Sequence, residues 1–272
     1  MKSFIYNIWV WIFARTSFAP LNRFLFAVSL RGLGILNYRS LRESGERNFL
    51  ERILAVYGAA GISKCVILDV GANVGNYAKE VLSITKAVDI YCFEPHPANV
   101  RKLRLAVEPM ATVVPCAVGS AKGSLELFDY SDEDGSSHAS VYKDVFEKIH
   151  KRPHTSHSVQ VVTIDDFMQE HRIAHVALLK IDTEGHELAA LVGASKSLLS
   201  QSIDVIHFEF NEMNIASRTF LGDFFELLPE YRFYRLLRDG WIPLRDRPLE
   251  NVFAYQNIVA IRNGSLAQVT FA

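Results

Sequence analysis

Asp69, Gly71, Asn73, Gly75 and Glu94 are the residues whose types and spacing first point to chemistry in this 272-residue chain. In the turn Gly71-Ala72-Asn73-Val74-Gly75-Asn76 the glycines let a ligand approach the backbone. The free amides of a following helix attract carboxylate or phosphate. Glu94, roughly 20 residues after the first glycine, stands where an acid accepts hydrogen bonds from both hydroxyls of a ribose, and Pro95 bends the chain away. The chemistry is that of a nucleoside site. The turn departs from the G-x-G-x-x-G of NAD enzymes, and an acid two residues before the glycine, Asp69, is the usual feature of S-adenosylmethionine (SAM) sites. Asn73 replaces a central glycine, and asparagine tolerates positive φ better than most residues.

The elements needed to hold these residues are legible around them. Residues 66–70 form an apolar run of the kind that makes a strand buried on both faces, and 77–82 continue as a helix. Residues 90–93 make the next strand, ending at Glu94. His96-Pro97-Ala98-Asn99 opens a helix with Val100, Leu103 and Leu105 as apolar positions. Further strands are predicted at 112–114, 123–130, 158–163, 176–182, 204–210, 231–238 and 256–262. Helices are predicted from Thr163, whose spacing to Asp166 is that of a capping box, after Glu187, and over 220–228. Alternation of this kind is a doubly wound α/β sheet, with ligands at the carboxyl ends of the strands. Residues 42–57 read as an amphipathic helix with Phe49, Leu50, Ile53, Leu54 and Tyr57 on one face.

Four motifs in order, Asp69-Val-Gly-Ala-Asn-Val-Gly75, Phe93-Glu94-Pro95, Ala117-Val118-Gly119 and Leu179-Lys-Ile-Asp-Thr-Glu-Gly-His-Glu187, resemble the FkbM family of SAM-dependent O-methyltransferases. The resemblance runs from about residue 65 to 210 and touches 31–38. It implies a class I SAM-methyltransferase (Rossmann-like) fold: a doubly wound seven-stranded sheet with a final antiparallel hairpin, here behind an N-terminal helical extension. It places Asp69, Gly71, Ala72, Asn73, Gly75, Asn76, Glu94, Pro95, Ala117, Val118 and Asp182 around the cofactor, with Ala117 and Val118 passing the adenine. Asn37 and Tyr38 would approach the methionyl end.

Methyl transfer from a sulfonium to a hydroxyl is an in-line displacement in which alignment matters most, and the alcohol must lose its proton to a nearby base. Candidates at the carboxyl edge are Asp182, Glu184, His186, Glu209 and Glu212. Asp182 is the first choice to anchor the methionyl amino group or orient the acceptor, and His186 is the better intrinsic base at neutral pH. Glu184 and Glu187 can instead complement a helix N-terminus. A metal-assisted variant stays open, with Asp182, Glu209 and Asn211 offering oxygens to Mg²⁺; no metal site is assigned. Residues 131–158 form a long insertion expected to act as the acceptor-binding lid. Its histidines, His138, His150, His154 and His157, match no standard zinc spacing. Trp241 and Pro243 fall in the predicted hairpin loop, where the tryptophan either meets substrate or covers core.

Composition bounds the rest. A net charge of −1 gives no global reason for nucleic-acid binding, and no basic stripe interleaves with aromatics beyond the N-terminus. Cys65, Cys92 and Cys116 sit in apolar runs without metal or redox spacing and read as reduced core thiols of a cytoplasmic protein. The expected domains are residues 1–57, a basic, aromatic helical extension, and 58–272, the catalytic domain. Residues 1–40 lack both a charge-free run of about 20 residues and a signal-peptide cleavage site. Their aromatics beside spaced arginines fit a peripheral contact with the inner face of a membrane; the alternative is a helical pair packed on the domain or on a second subunit of a homo-oligomer. The acceptor implied by the resemblance is a hydroxyl of a glycolipid, polysaccharide or glycosylated natural product. Two other readings are an NAD-dependent oxidoreductase and a non-catalytic, membrane-associated nucleoside-binding module.

Overall fold

The computed structural model describes residues 2–132, 135–136 and 138–271. Glu133, Asp134 and Ser137 of the expected insertion lie outside the described residues. Eleven strands occur among the described residues: β1 Cys65–Val70, β2 Val88–Phe93, β3 Thr112–Val114, β4 Ala117–Val118, β5 Gly123–Tyr130, β6 His154–Val162, β7 Val176–Ile181, β8 Ile203–Phe210, β9 Tyr231–Leu237, β10 Gly240–Pro243 and β11 Gln256–Arg262. The helices are α1 Lys2–Phe13, α2 Ala19–Gly32, α3 Glu46–Ala59, α4 Asn76–Ile84, α5 Pro97–Val107, α6 Ile164–Glu170, α7 Glu187–Val192, α8 Ser195–Leu199, α9 Met213–Ser217 and α10 Leu221–Leu227.

One sheet runs β10-β9-β11-β8-β7-β1-β2-β3. β1, β2, β3, β7 and β8 are mutually parallel, and β11 inserts antiparallel to both β8 and β9. The doubly wound sheet with an antiparallel end is thus present. Residues 240–243 are not a loop but an eighth, edge strand, paired with β9. Trp241 stacks on Phe271 at 4.0 Å under the Arg52 guanidinium, so of its two sequence readings the structure favours core cover.

Two apolar layers cover the sheet. Phe49, Leu50, Ile53, Leu54 and Tyr57 of α3 pack with α4 and α5 on one face, all five buried as the helical period requires. α6, α7 and α10 cover the other face. α3 therefore belongs to the body of the fold, although its sequence reads as the end of the extension. Leu105 on α5 is an exception to its reading: it points to solvent while Leu103 and Val107 face the core. Thr163 caps α6 by accepting from the Asp166 amide, and Asp165 caps α8 by accepting from the Lys196 and Ser197 amides. The three cysteines are buried and unpaired.

A smaller sheet, β4-β6-β5, carries the insertion between its antiparallel strands β5 and β6. β6 starts at His154, four residues earlier than the sequence pattern indicates, because its pairing with β5 continues to Tyr130 opposite His154. A single wide helical turn, Val145–His150, buries Val145 and Phe146 beneath the insertion.

Candidate active site

A cavity of about 870 Å³ opens at the carboxyl ends of the parallel strands. Every cofactor and catalytic residue named from the sequence lines it except Gly75 and Asn37. Both glycines of the turn have left-handed backbones (φ +82° and +81°), and Asn73 joins them at φ 48°. Gly71 is required by space as well: a Cβ there would lie 1.7 Å from the Asp182 carbonyl oxygen. At Gly75 a Cβ would strike Leu103 and Val107, so this residue seats α4 on α5 and does not face the ligand. The turn is stitched to β2 by the Gly71 and Ala72 amides, which donate to the Phe93 carbonyl.

Glu94 closes the turn. Its Oε2 accepts from the Asn73 amide at 2.9 Å and its Oε1 from the His96 amide at 2.8 Å. Burial pushes the carboxyl up to about 7 against the pull of these amides. Each oxygen retains a second lone pair, so the carboxylate can still accept from a ligand diol.

The two-residue strand period sets a polar row on the α3–α4 face of the sheet. Ile67 and Asp69, Leu178 and Lys180, and Val205, His207 and Glu209 alternate with residues of the opposite layer. The parallel register sets Asp69 beside Lys180 and Lys180 beside His207. The Lys180 Nζ lies 3.0 Å from Asp182. Burial alone would depress this ammonium, but Asp182, Glu46, Glu209 and Asp69 outweigh it and hold it above lysine's usual value. Burial raises Asp69 to about 7, with Lys180 opposing, and its Oδ2 is buried without a hydrogen-bond partner among the described residues. His207 is driven well below its usual value by burial, so its ring is neutral; it bonds Tyr77 Oη (3.0 Å) and Asn257 Oδ1 (2.9 Å).

At the far end of the cavity, the Asn211 amide bridges two acids, donating to Glu209 Oε1 at 2.6 Å and Glu184 Oε2 at 3.2 Å. Burial, then the charges of Asp182 and Glu184, raise Glu209 well above its usual value. Glu184 is raised by burial too and faces His138 Nδ1 at 3.3 Å. His186 is lowered by burial, which leaves a neutral imidazole whose Nδ1 is 3.2 Å from Tyr142 Oη. Glu187 stands apart from the cavity: it accepts from the Thr183 and Gly185 amides and from Asn214, locking the turn before α7. The helix-terminus reading therefore describes Glu187, whereas Glu184 belongs to the cavity.

Of the insertion's histidines, His138 reaches the cavity, while His150 bonds Tyr130, and His154 and His157 lie on β6. Ser136, Ala139 and Val141 also line the wall. The insertion is tied down by Asp129, whose carboxylate accepts from the Gly135 amide and from the Ser136 amide and hydroxyl, and lies 3.3 Å from His96 Nε2. Tyr38 lines the cavity, but Asn37 turns away to bond the Arg31 carbonyl. Asp182, Glu209 and Asn211, the oxygens considered for Mg²⁺, are engaged by Lys180 and by one another. Among the described residues no group of three or more His, Cys, Asp or Glu is arranged to hold a metal ion.

Glu46, Lys180, Tyr77 and Tyr255 line the site without having been singled out in the sequence. Lys180 did leave a signal, the lone charge within the buried run Val176–Ile181. Glu46, held by Ser44 Oγ at 2.7 Å, reads in sequence as an ordinary first-turn acid of α3.

Comparison with known proteins joins this geometry to a family. The 2-O-methyltransferase NoeI of Sinorhizobium fredii is 24% identical over 183 residues, covering 61% of this chain and 72% of NoeI. The hexuronic acid methyltransferase AglP of Haloferax volcanii is 27% identical over 142 residues, covering 52% of this chain and about half of AglP (54%). Among solved structures, the plantazolicin methyltransferase BpumL in complex with S-adenosylhomocysteine (SAH) superposes with a TM-score of 0.43 at 11% identity, covering 84% of this chain and 87% of that one. The sequence model of the Methyltransferase FkbM domain matches residues 69–235, well over half of the chain, and the protein belongs to that methyltransferase family.

Proposed function

We propose that the protein transfers a methyl group from SAM to a hydroxyl of a sugar or sugar acid. The observation that carries this reading is the pairing of two buried acids at one end of the cavity. Glu94 is pinned by two backbone amides with lone pairs to spare, and Asp69 has a buried oxygen that lacks a partner. A diol and an ammonium group satisfy these two, and SAM carries both. Glu94 would hold the ribose, Asp69 and Asp182 the methionyl amino group, and Ala117 and Val118 the adenine. When bound, SAM supplies a methyl group already activated by its sulfonium.

The chain's own residues then handle the acceptor. Its neutral imidazole makes His186 the base for the hydroxyl proton. The Lys180–Asp182 pair and the Asn211-bridged acids orient the hydroxyl. His138 and Ser136 put the insertion in position to act as the acceptor-binding lid. The sugar follows from the relatives: AglP's name records a hexuronic acid and NoeI's an O-methyl transfer. The family match weighs against the nicotinamide alternative.

Calorimetric titration of SAH, followed by labelled-methyl transfer to a panel of sugars and uronic acids, tests this. Wild type should bind SAH. Glu94→Ala, which strands two amides, should weaken binding by roughly 30-fold or more, whereas Asp182→Asn should mainly cut turnover, by about 100-fold. Failure of folded wild type to bind SAH would refute the reading.

A further inference from the structure

α1 and α2 hide no face. α2 contains no buried residue, and Trp11, Phe4, Phe24 and Phe26 are 74%, 69%, 64% and 64% exposed. A helix of a globular body normally covers an apolar stripe, and apolar surface left open on this scale marks an interaction site. Charge says which kind. Residues 1–42 hold six basic and no acidic side chains, while the remaining chain has 23 basic against 30 acidic. A negatively charged body is repelled by anionic lipid, so the helices are the part drawn to it. A second copy seated face to face would oppose the same positive charges. α1, with 12 residues, is about 18 Å long, short of the roughly 30 Å hydrocarbon core, and no described helix is long and apolar enough to cross a membrane.

The helices are fastened beside the cavity. Ile35 bridges to Gln256 and the Leu36 amide donates to the Tyr255 carbonyl at 2.8 Å. The chain then runs along the rim, where Leu36, Tyr38, Arg39 and Leu41 line the wall. We infer that α1 and α2 lie in the headgroup region of an anionic membrane and hold this rim against it, so that the acceptor hydroxyl is one displayed at a lipid surface. The acceptor clause rests on the methyl-transfer reading; the membrane contact does not.

Two of the three tryptophans, Trp9 and Trp11, are on α1 and report the contact directly. The full chain should sediment with mixed phosphatidylcholine–phosphatidylglycerol vesicles and show a blue shift in tryptophan emission, with at least tenfold weaker binding, roughly, to phosphatidylcholine alone. Arg15→Glu with Arg23→Glu should weaken binding by about tenfold or more, and Trp11→Ser with Phe24→Ser should abolish it. Both variants should bind SAH like wild type, which shows that the body is folded. An SAH-binding wild type that ignores anionic vesicles overturns the inference. So does a stable dimer that Trp11→Ser with Phe24→Ser dissociates. Vesicle binding without SAH binding would uphold the membrane contact and refute the methyl-transfer reading instead.

Discussion

The two ends of the cavity are built on opposite plans. The proposed cofactor end is local: Asp69, the glycine turn and Glu94 come from one β1-α4-β2 unit, and Glu94 is pinned there by two backbone amides. The acceptor end is assembled from residues 36–46, 136–141, 182–186 and 209–213, held by side chains such as Asn211, Tyr142 and His138. A site built this way keeps its donor chemistry fixed while its acceptor wall changes by single substitutions. The contrast mirrors the general division between rigid scaffold and variable loops.

The largest effect should come from Gly71→Ala, whose added carbon meets the Asp182 carbonyl oxygen at a left-handed backbone position. We expect a loss of more than about 3 kcal/mol in urea unfolding and no measurable SAH binding; a well-folded, SAH-binding variant would show that the cofactor end is not rigid. Asp129→Ala strands the Gly135 and Ser136 amides that fasten the insertion. It should cost about 2 kcal/mol and raise the acceptor KM while SAH affinity stays within roughly threefold. Collapse of SAH affinity would mean that His96 couples the two ends, contrary to the comparison. The smallest effect concerns pH. Asp69 and Glu94 have folded values raised to about 7 from 3.8 and 4.5. The folded state thus binds more protons than the unfolded chain between these limits, and the stability they contribute is present at low pH and lost as pH rises through 7. Asp69→Asn should reduce the fall in Tm between about pH 6 and about pH 8 by a few degrees, on the order of 1 kcal/mol. It should also flatten the rise in SAM affinity that ionisation of Asp69 produces in wild type. An unchanged pH slope would remove Asp69 from the cofactor end.

The same contrast explains what the sequence disclosed. A turn of this kind is encoded by neighbours, so Gly71, Asn73 and Glu94 are legible from spacing, and the positions of the buried strands follow from apolar runs. Lys180 was hidden because its partners Glu46, Asp69 and Glu209 lie far away in sequence and meet it only across the sheet. Glu46 carries no signal of this meeting in the sequence, and only the docking of α3 over the row brings it to the site. Leu105 departs from its reading because an apolar residue on the helix face opposite Leu103 and Val107 still counts as apolar in a window. Trp241 became edge strand rather than loop because Phe271, at the far end of the chain, offers it a stacking partner.

Lys180 is outnumbered in its cavity by Asp69, Glu46, Glu94, Asp182, Glu184 and Glu209. Burial raises Asp69 and Glu94 to about 7 and pushes Glu46, Glu184 and Glu209 upward, so the charge of a guest bears directly on their protons. A guest bearing positive charge expels such protons into solvent, and a guest without it lets them return. On the proposed function, a donor carrying a sulfonium would then bind with proton release, and its thioether product with less. Buffer-dependent heats for the two ligands are the signature of that exchange, and turnover in such a site is coupled to the traffic of protons through its acids.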